Sequence, residues 1–480
     1  MCSESVSPAY VWRLVAHAFC MEVLMNNPMK EAPVNKLMLK MGTPIILSMM
    51  MQALYNIVDS AFVSNMGENG EMALNALTLA FPVQVLLIAL GIGTGVGMNV
   101  VVARSLGQQD YEKASHAAGT TKVLAFIIFA MFFLFGAFGV KLYIGTQTTN
   151  ATISDMAVVY LRICCMLSLG NVYFTVYEKL LQAHGRSKYS TIAQIAGALT
   201  IIILDPILIY GLLGLPRMEV VGAALATVIG QFVSMGLGWY FHRKYDNEVS
   251  NDRKYLKLNG VMVKEIYSIG FPAIIAQALM SIMTYLLNII FVRIGENVVT
   301  AYGLYYKIQQ FILFAAFGMR DTITPIISFA HGMKDEKRIK EGMKWGILYT
   351  SAIMLFGTSL LEIFASPFAN MFGLAGETED ICIAAMRIVS ISFLFAGFNI
   401  SFQGIYQALN AGPQSLVISV LRQFVLVIPV AFVFSNLVIA GTTFKSIIWF
   451  TFIIAEMLTA LIGYFMLNRI VKNSLTFTAI

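Results

Sequence analysis

The sequence predicts an all-α polytopic membrane protein: twelve transmembrane helices in two six-helix bundles related by a pseudo-twofold axis along the membrane normal. Three observations carry this. First, 58% of the 480 residues are apolar and only 12% are charged, against roughly 45–50% and about 25% in a soluble domain. Second, the chain divides into apolar runs of about 20 residues or more, the length that crosses a bilayer. Third, its second half echoes its first. Gly67-Glu68-Asn69 returns as Gly295-Glu296-Asn297, and Gly42 and Pro44 return as Gly270 and Pro272, all 228 positions on. After a slip of three, Gly107, Asp110, Arg162-Ile163 and Gln182-Ala183 return 225 positions on, as Gly332, Asp335, Arg387-Ile388 and Gln407-Ala408. A long internal repeat in an apolar chain points to a two-lobed transporter with its site between the lobes.

In order, the spans are expected near 38–64, 76–103, 119–140, 157–181, 190–213 and 220–241 in the first half. Those of the second half are expected near 264–292, 299–330, 345–371, 382–407, 414–437 and 443–468. The connections alternate in charge. Lys30, Lys36 and Lys40 precede the first span, and Arg104 and Lys113 follow the second. Arg186 and Lys188 follow the fourth, and Arg243, Lys244, Arg253, Lys254 and Lys257 follow the sixth. Lys334, Lys337, Arg338 and Lys340 follow the eighth, and Arg469 and Lys472 close the chain. The opposite connections carry Glu68, Glu71, Glu377, Glu379 and Asp380 instead. Lysine and arginine mark the cytoplasmic side, so both termini are expected there, in a bacterial-type cytoplasmic membrane. The net charge of +6 is thus a topology signal, with no nucleic-acid partner implied.

Six spans per half is an even number, so both halves enter the membrane in the same direction and the repeat axis runs along its normal. The expected divisions are a cytoplasmic extension at 1–37, a first lobe at 38–242, a linker at 243–260, a second lobe at 261–470 and a tail at 471–480. Ala9 to Met25 is apolar but broken by Arg13 and Glu22. It reads as sequence ahead of the true start at Met25 or Met29, or as an interfacial helix. Five cysteines without paired spacing give no disulfide or metal framework.

An intramembrane carboxylate costs about 2.5–3.5 kcal/mol to insert, so each calls for a role. Asp59 shares one helical face with Gln52, Tyr55 and Asn56. Asp205 is followed by Pro206, whose missing N–H loosens the preceding turn. Gln194 falls on its face, and Thr227 and Gln231 form an i, i+4 pair in the next span. The competing reading is an interhelical hydrogen-bond clamp. Asp59 maps onto Leu287, beside Asn288, and Asp205 maps near Val430, so the carboxylates belong to the first half alone. That asymmetry favours chemistry over scaffold. Arg162 and Arg387 occur in both copies and read as structural. Tyr302, Tyr305, Tyr306, Gln309 and Gln310, with Lys307, Arg320 and Asp321, make the eighth span polar and aromatic, with functional and packing readings both open. Glu362 and Glu456 read as snorkelling or paired acids. Gly91, Gly93, Gly95 and Gly97 alternate without a flanking strand, which suits close helix packing and not a nucleotide loop. The five histidines lie at helix ends or in connections, which argues against a membrane-embedded enzyme.

Leu54-Tyr55-Asn56-Ile57-Val58-Asp59, running to Phe62-Val63 and Gly67, resembles the first-helix signature of the multidrug and toxic compound extrusion (MATE) family. Ser105-Leu106-Gly107 with Asp110, Leu181-Gln182-Ala183 to Gly185-Arg186, Leu204-Asp205-Pro206, Gly222-Ala223-Ala224 to Thr227, and Pro325-Ile326-Ile327 are similar to it in the same order. The resemblance runs from about residue 38 to 470. It implies a V-shaped cavity between two lobes and cation-coupled export of drugs. The seventh and tenth spans carry no mid-span acid, so the chain resembles the DinF-like branch, near MepA-type exporters, whose first-lobe aspartates match Asp59 and Asp205. That branch often has Asn one turn before the second aspartate, where this chain has Ile201 beside Thr200. A sodium site of Asp59, Asp205 and Thr227 then lacks one ligand, which shifts weight to proton coupling.

The expected function is a proton- and/or sodium-coupled antiporter with no other cofactor, taking lipophilic organic cations and working as a monomer among membrane lipid. Gln52, Tyr55 and Asn56 are expected to support the coupling acids. Gln194, Gln231, Asn288, Tyr302, Tyr306 and Gln310 are expected to line a cavity with apolar, Met and aromatic walls. The alternatives are a lipid-linked saccharide flippase, for which Lys307, Arg320 and Arg422 would supply basic groups, and a non-transporting receptor.

Overall fold

In the computed structural model the chain is described over residues 28–67, 70–371 and 376–474, and all its secondary structure there is helical. The readings made for residues 1–27 and for 475–480 lie outside the described residues. Among the described residues ten helices are long and apolar enough to cross a membrane, and two bent pairs bring the total to twelve. The chain is a multi-pass membrane protein. In the first lobe the spans are α1 Val34–Ser64, α2 Gly70–Gly107, α3 Tyr111–Gly145, α4 Ala151–Met166 with Leu169–Ala183, α5 Ser187–Tyr210 and α6 Glu219–Tyr245. In the second lobe they are α7 Gly260–Val292, α8 Glu296–Gly332, α9 Glu336–Met371, α10 Glu377–Ser390 with Phe393–Ala408, α11 Gly412–Ile439 and α12 Lys445–Lys472.

Most helices run several residues past the expected ends, because polar helix termini carry no hydropathy signal. α1 begins at Val34, before position 38, after a single helical turn at Pro28–Glu31. The linker shortens to 246–259. Start signals repeat between the lobes. The Asp110 carboxylate accepts from the Lys113 N–H at 2.9 Å, and its repeat counterpart Asp335 accepts from the Arg338 N–H at 3.0 Å. The fourth and tenth spans, also repeat counterparts, are each broken, by 45° and 50°.

The linker is docked rather than slack. Thr120 donates to the Lys257 carbonyl at 3.1 Å, the Ser250 N–H donates to Ser115 Oγ at 2.9 Å, and His116 meets the Tyr255 ring edge-on.

The lobes meet through their linker-end halves, the ends carrying the docked linker. One large buried core runs through the first lobe and joins it at that end to residues of α7–α12. A separate core fills the far half of the second lobe. The alternating glycines of α2 explain themselves in this packing. Gly91 and Gly95 lie against Thr175 and Lys179 of the first lobe, while Gly93 and Gly97 lie against Ile274, Gly270 and Ile266 of the second. Each i, i+4 pair serves one lobe, so one helix is pressed closely by both. Polar links lie at the same end. Glu265 of α7 takes Arg104 and Lys113, and Thr94 meets the Tyr267 hydroxyl at 3.2 Å.

Candidate functional site

α1 and α5 pack side by side and bring Asp59 and Asp205 within electrostatic reach of one another. Asp205 is completely buried. Neither of its carboxylate oxygens has a hydrogen-bond partner among the described residues, nor has Asp59 Oδ1. Buried polar atoms are nearly always partnered, so a pair of orphaned acids marks a place where something else is meant to bind. Pro206 sits inside α5 without ending it. Tyr55, Tyr160 and Cys164 also lie within reach of the Asp59 charge, and Tyr160 accepts from Gln84 at 3.3 Å. Thr227 is half-buried on α6 and does not bond the orphaned oxygens of Asp59 or Asp205. No group of three or more His, Cys, Asp or Glu side chains converges on a metal-sized point among the described residues.

A cavity of about 80 Å³ opens beside this cluster. Gln52, Tyr55, Gln194 and Gln231 line it, together with Ser48, Asn171, Thr175 and Ser234 and four charged side chains, Glu178, Lys179, Arg320 and Asp321. A smaller one of about 20 Å³ shares Ile92 and Arg320 with it and is lined by Gln277, Gln403, Gln407, Gln423 and Arg422. Each by itself falls below the roughly 300–1,000 Å³ of a site for a drug-sized ligand.

The expected site residues fall in different places. Gln52 and Tyr55 line the cavity, whereas Asn56 is exposed. Gln194 and Gln231 line it, while Asn288, Tyr302, Tyr306 and Gln310 line neither of these two cavities. Tyr302 is 1% exposed in the far core of the second lobe, between the rings of Phe291, Trp449 and Phe452, and Tyr306 packs on it at 5.9 Å. The far half of α8 turns its tyrosines into its own lobe, so a stripe that reads as a cavity face is core. The walls mix these polar and charged groups with apolar and aromatic ones, among them Met49, Ile88, Ile92, Phe174 and Ile201. Lys307 is exposed, and Arg422 is held by Glu456 at 2.6 Å. Two residues absent from the sequence reading stand at the centre. Glu178 and Lys179 are adjacent charges inside the fourth span, a signal open to inspection in the sequence.

Lys179 donates to Asp321 Oδ2 at 2.7 Å and to Gln182 Oε1 at 3.1 Å, and lies 3.9 Å from Glu178 Oε1. Arg320 donates to Asp321 Oδ1 from Nε at 3.0 Å and from Nη2 at 2.9 Å. The cluster holds two positive and two negative groups.

The sequence matches the family model described as MatE twice, over residues 44–207 and 272–433, once in each lobe. Among curated proteins it is 27% identical over 454 residues to the multidrug export protein MepA of Staphylococcus haemolyticus (strain JCSC1435), covering 93% of this chain and 96% of that one. The fold is similar, at a TM-score of 0.86 and 24% identity, to a multidrug resistance MATE family transporter of the MOP superfamily solved in an outward-facing conformation, over 93% of this chain and 98% of that one. It is similar at a TM-score of 0.85 and 23% identity to a MOP superfamily transporter from Pyrococcus furiosus described as having a binding pocket of reverse polarity, over the same shares.

Proposed function

Since the chain belongs to the MATE family, we propose that it is a cation-coupled antiporter that exports organic cations from the cytoplasm by alternating access. The observation that carries this reading is the Asp59–Asp205 pair: two acids of one lobe within a membrane bundle, Asp205 fully buried with both oxygens orphaned, Asp59 half-buried with Oδ1 orphaned, and neither copied in the repeat. A proton or sodium ion arriving at that pair supplies the missing partner. An ion moving inward gains about 2.3 kcal/mol per 100 mV, which drives the opposing movement of substrate.

The lysine and arginine bias puts the linker end in the cytoplasm. Lobes joined at that end and separate beyond it then describe an outward-facing state. In the bacterial-type cytoplasmic membrane this state takes up the external ion and releases substrate. The closed cytoplasmic end must open in turn for substrate to enter. Most of the positive groups that a pyrophosphate lipid would need are balanced by acids, Lys179 and Arg320 by Glu178 and Asp321 and Arg422 by Glu456, while Lys307 is exposed. That supports export of a cation over flipping of an anionic lipid.

The test is ethidium efflux from proteoliposomes under an imposed proton gradient and then a sodium gradient. Efflux should follow one of the two gradients in the wild type and vanish in Asp59→Asn and Asp205→Asn. Wild-type, gradient-driven efflux by Asp59→Asn would sink the coupling assignment. If sodium is the driver, Thr227→Ala should raise the sodium concentration needed.

A further inference from the structure

Lys179 belongs to α4 in the first lobe and Asp321 to α8 in the second, so their 2.7 Å ion pair crosses the boundary between lobes. It does so on the cavity wall. Both side chains are 4% exposed, and Lys179 is pressed against Gly95. A lone charge at such a site is strongly unfavourable, and a pair there that loses one partner leaves the other uncompensated. Alternating access requires the linker-end halves of the lobes to part, which would strip each charge of its partner.

The neighbours remove that obstacle. Beside Lys179 stands Glu178 of the same lobe, 3.9 Å away and bridged by Gln182, which accepts from Lys179 at 3.1 Å and donates to Glu178 at 3.0 Å. Beside Asp321 stands Arg320 of the same lobe, which takes Oδ1 with two donors and leaves Oδ2 for Lys179. Each lobe therefore carries its own counter-ion.

We propose that Lys179 and Asp321 form an inter-lobe lock that holds the lobes together at the linker end, and that it divides on opening into two neutral pairs, Glu178–Lys179 and Arg320–Asp321. The proposal rests on the alternating-access part of the function proposed above. It adds a second charged device, separate from Asp59 and Asp205, whose work is to set the balance between the two lobe arrangements. The Glu265 contacts with Arg104 and Lys113 lie nearer the surface, where Lys113 is 31% exposed, and water compensates them as they part.

The test uses the full chain in nanodiscs, with spin labels at Leu213→Cys and Phe444→Cys, both strongly exposed at the far ends of different lobes. The distance between labels is read without substrate or gradient, so the result stands even if no dye is exported. Lys179→Met and Asp321→Asn should each move the population toward the shorter far-end distance, by about tenfold in ratio. Lys179→Arg should keep the wild-type distribution. The reversed pair, Lys179→Asp with Asp321→Lys, is the deciding variant. It puts two acids in one lobe and two bases in the other, so the far end should stay open and efflux should be lost. Glu178→Gln, which leaves the pair untouched, should slow turnover while keeping the long distance. Unchanged distances in both single-site variants would overturn the lock. So would wild-type efflux by the reversed pair, which would show an ordinary structural ion pair in which only opposite signs matter.

Discussion

Gly107 of α2 lies against the carbonyl of Phe329 on α8, and its repeat counterpart Gly332 on α8 lies against the carbonyl of Arg104 on α2. The two contacts are equivalent under the pseudo-twofold rotation and close the lobes at the linker end. A Cβ at either place meets backbone, which has no rotamer to yield. Gly107→Ala and Gly332→Ala should each lower stability by about 1–3 kcal/mol, the cost of overpacking. Thermal unfolding in detergent checks this, with Gly236→Ala as control, since Gly236 faces open space. Equal stability of all three variants would refute the close-contact role.

Asp205 is completely buried with both oxygens orphaned. An unsatisfied buried acceptor costs about 1–3 kcal/mol. Asp205→Asn removes the charge and one of the two orphaned acceptors. The variant should gain about 1 kcal/mol in stability while losing gradient-driven efflux. A loss of both would place Asp205 among structural anchors.

Asp246, just past α6, is 2% exposed and faces His242 Nδ1 at 2.9 Å, Arg186 Nη1 at 3.4 Å and His184 Nδ1 at 3.7 Å. Burial alone would push its carboxyl up, but His184, His242 and Arg186 outweigh burial and hold it below the usual carboxylate range. A carboxyl lowered on folding stabilises above its unfolded pKa of about 3.9 and loses that contribution as the pH falls through the lower folded value. Asp246→Asn should therefore destabilise by about 1–3 kcal/mol at pH 7. The gap between variant and wild type should narrow only below about pH 4. A gap that closes between pH 6 and 7 would contradict this assignment.

Within the second lobe Arg422 donates to Glu456 Oε1 at 3.0 and 2.6 Å, and Asn399 donates to Oε2 at 2.7 Å. Arg422→Met leaves a buried carboxylate without its charge partner and should cost about 3–5 kcal/mol. Adding Glu456→Leu should recover most of that loss. A double variant as unstable as the single one would show that shape, not charge, dominates there.

The twelve spans were legible because the bilayer imposes a length and an apolarity that composition reports directly. The two breaks in α4 and α10 were not, since a bend of 45–50° needs no change in average hydropathy. At the site, Asp59 and Asp205 stood out as acids in apolar runs, and their absence from the second copy separated them from scaffold. Tyr302 and Tyr306 misled for a definite reason. Helical spacing shows that residues share a face but not which neighbour that face meets, and here it meets Trp449 and Phe452. The adjacent charges Glu178 and Lys179 were visible in the sequence. Their meaning lay in Asp321, 142 positions further along.

By itself, then, the amino-acid sequence determined the membrane environment, the duplication, the shared direction of the two halves and the one-sided placement of Asp59 and Asp205. All of these follow from residue type and local periodicity. The tertiary structure decided which faces meet: glycines of α2 divided between two lobes, tyrosines of α8 turned into a core, and Lys179 joined to Asp321 across the boundary. Those choices depend on the packing of helices distant in sequence, where close backbone approach and the pairing of buried charge select one arrangement among many that share the same apolar pattern.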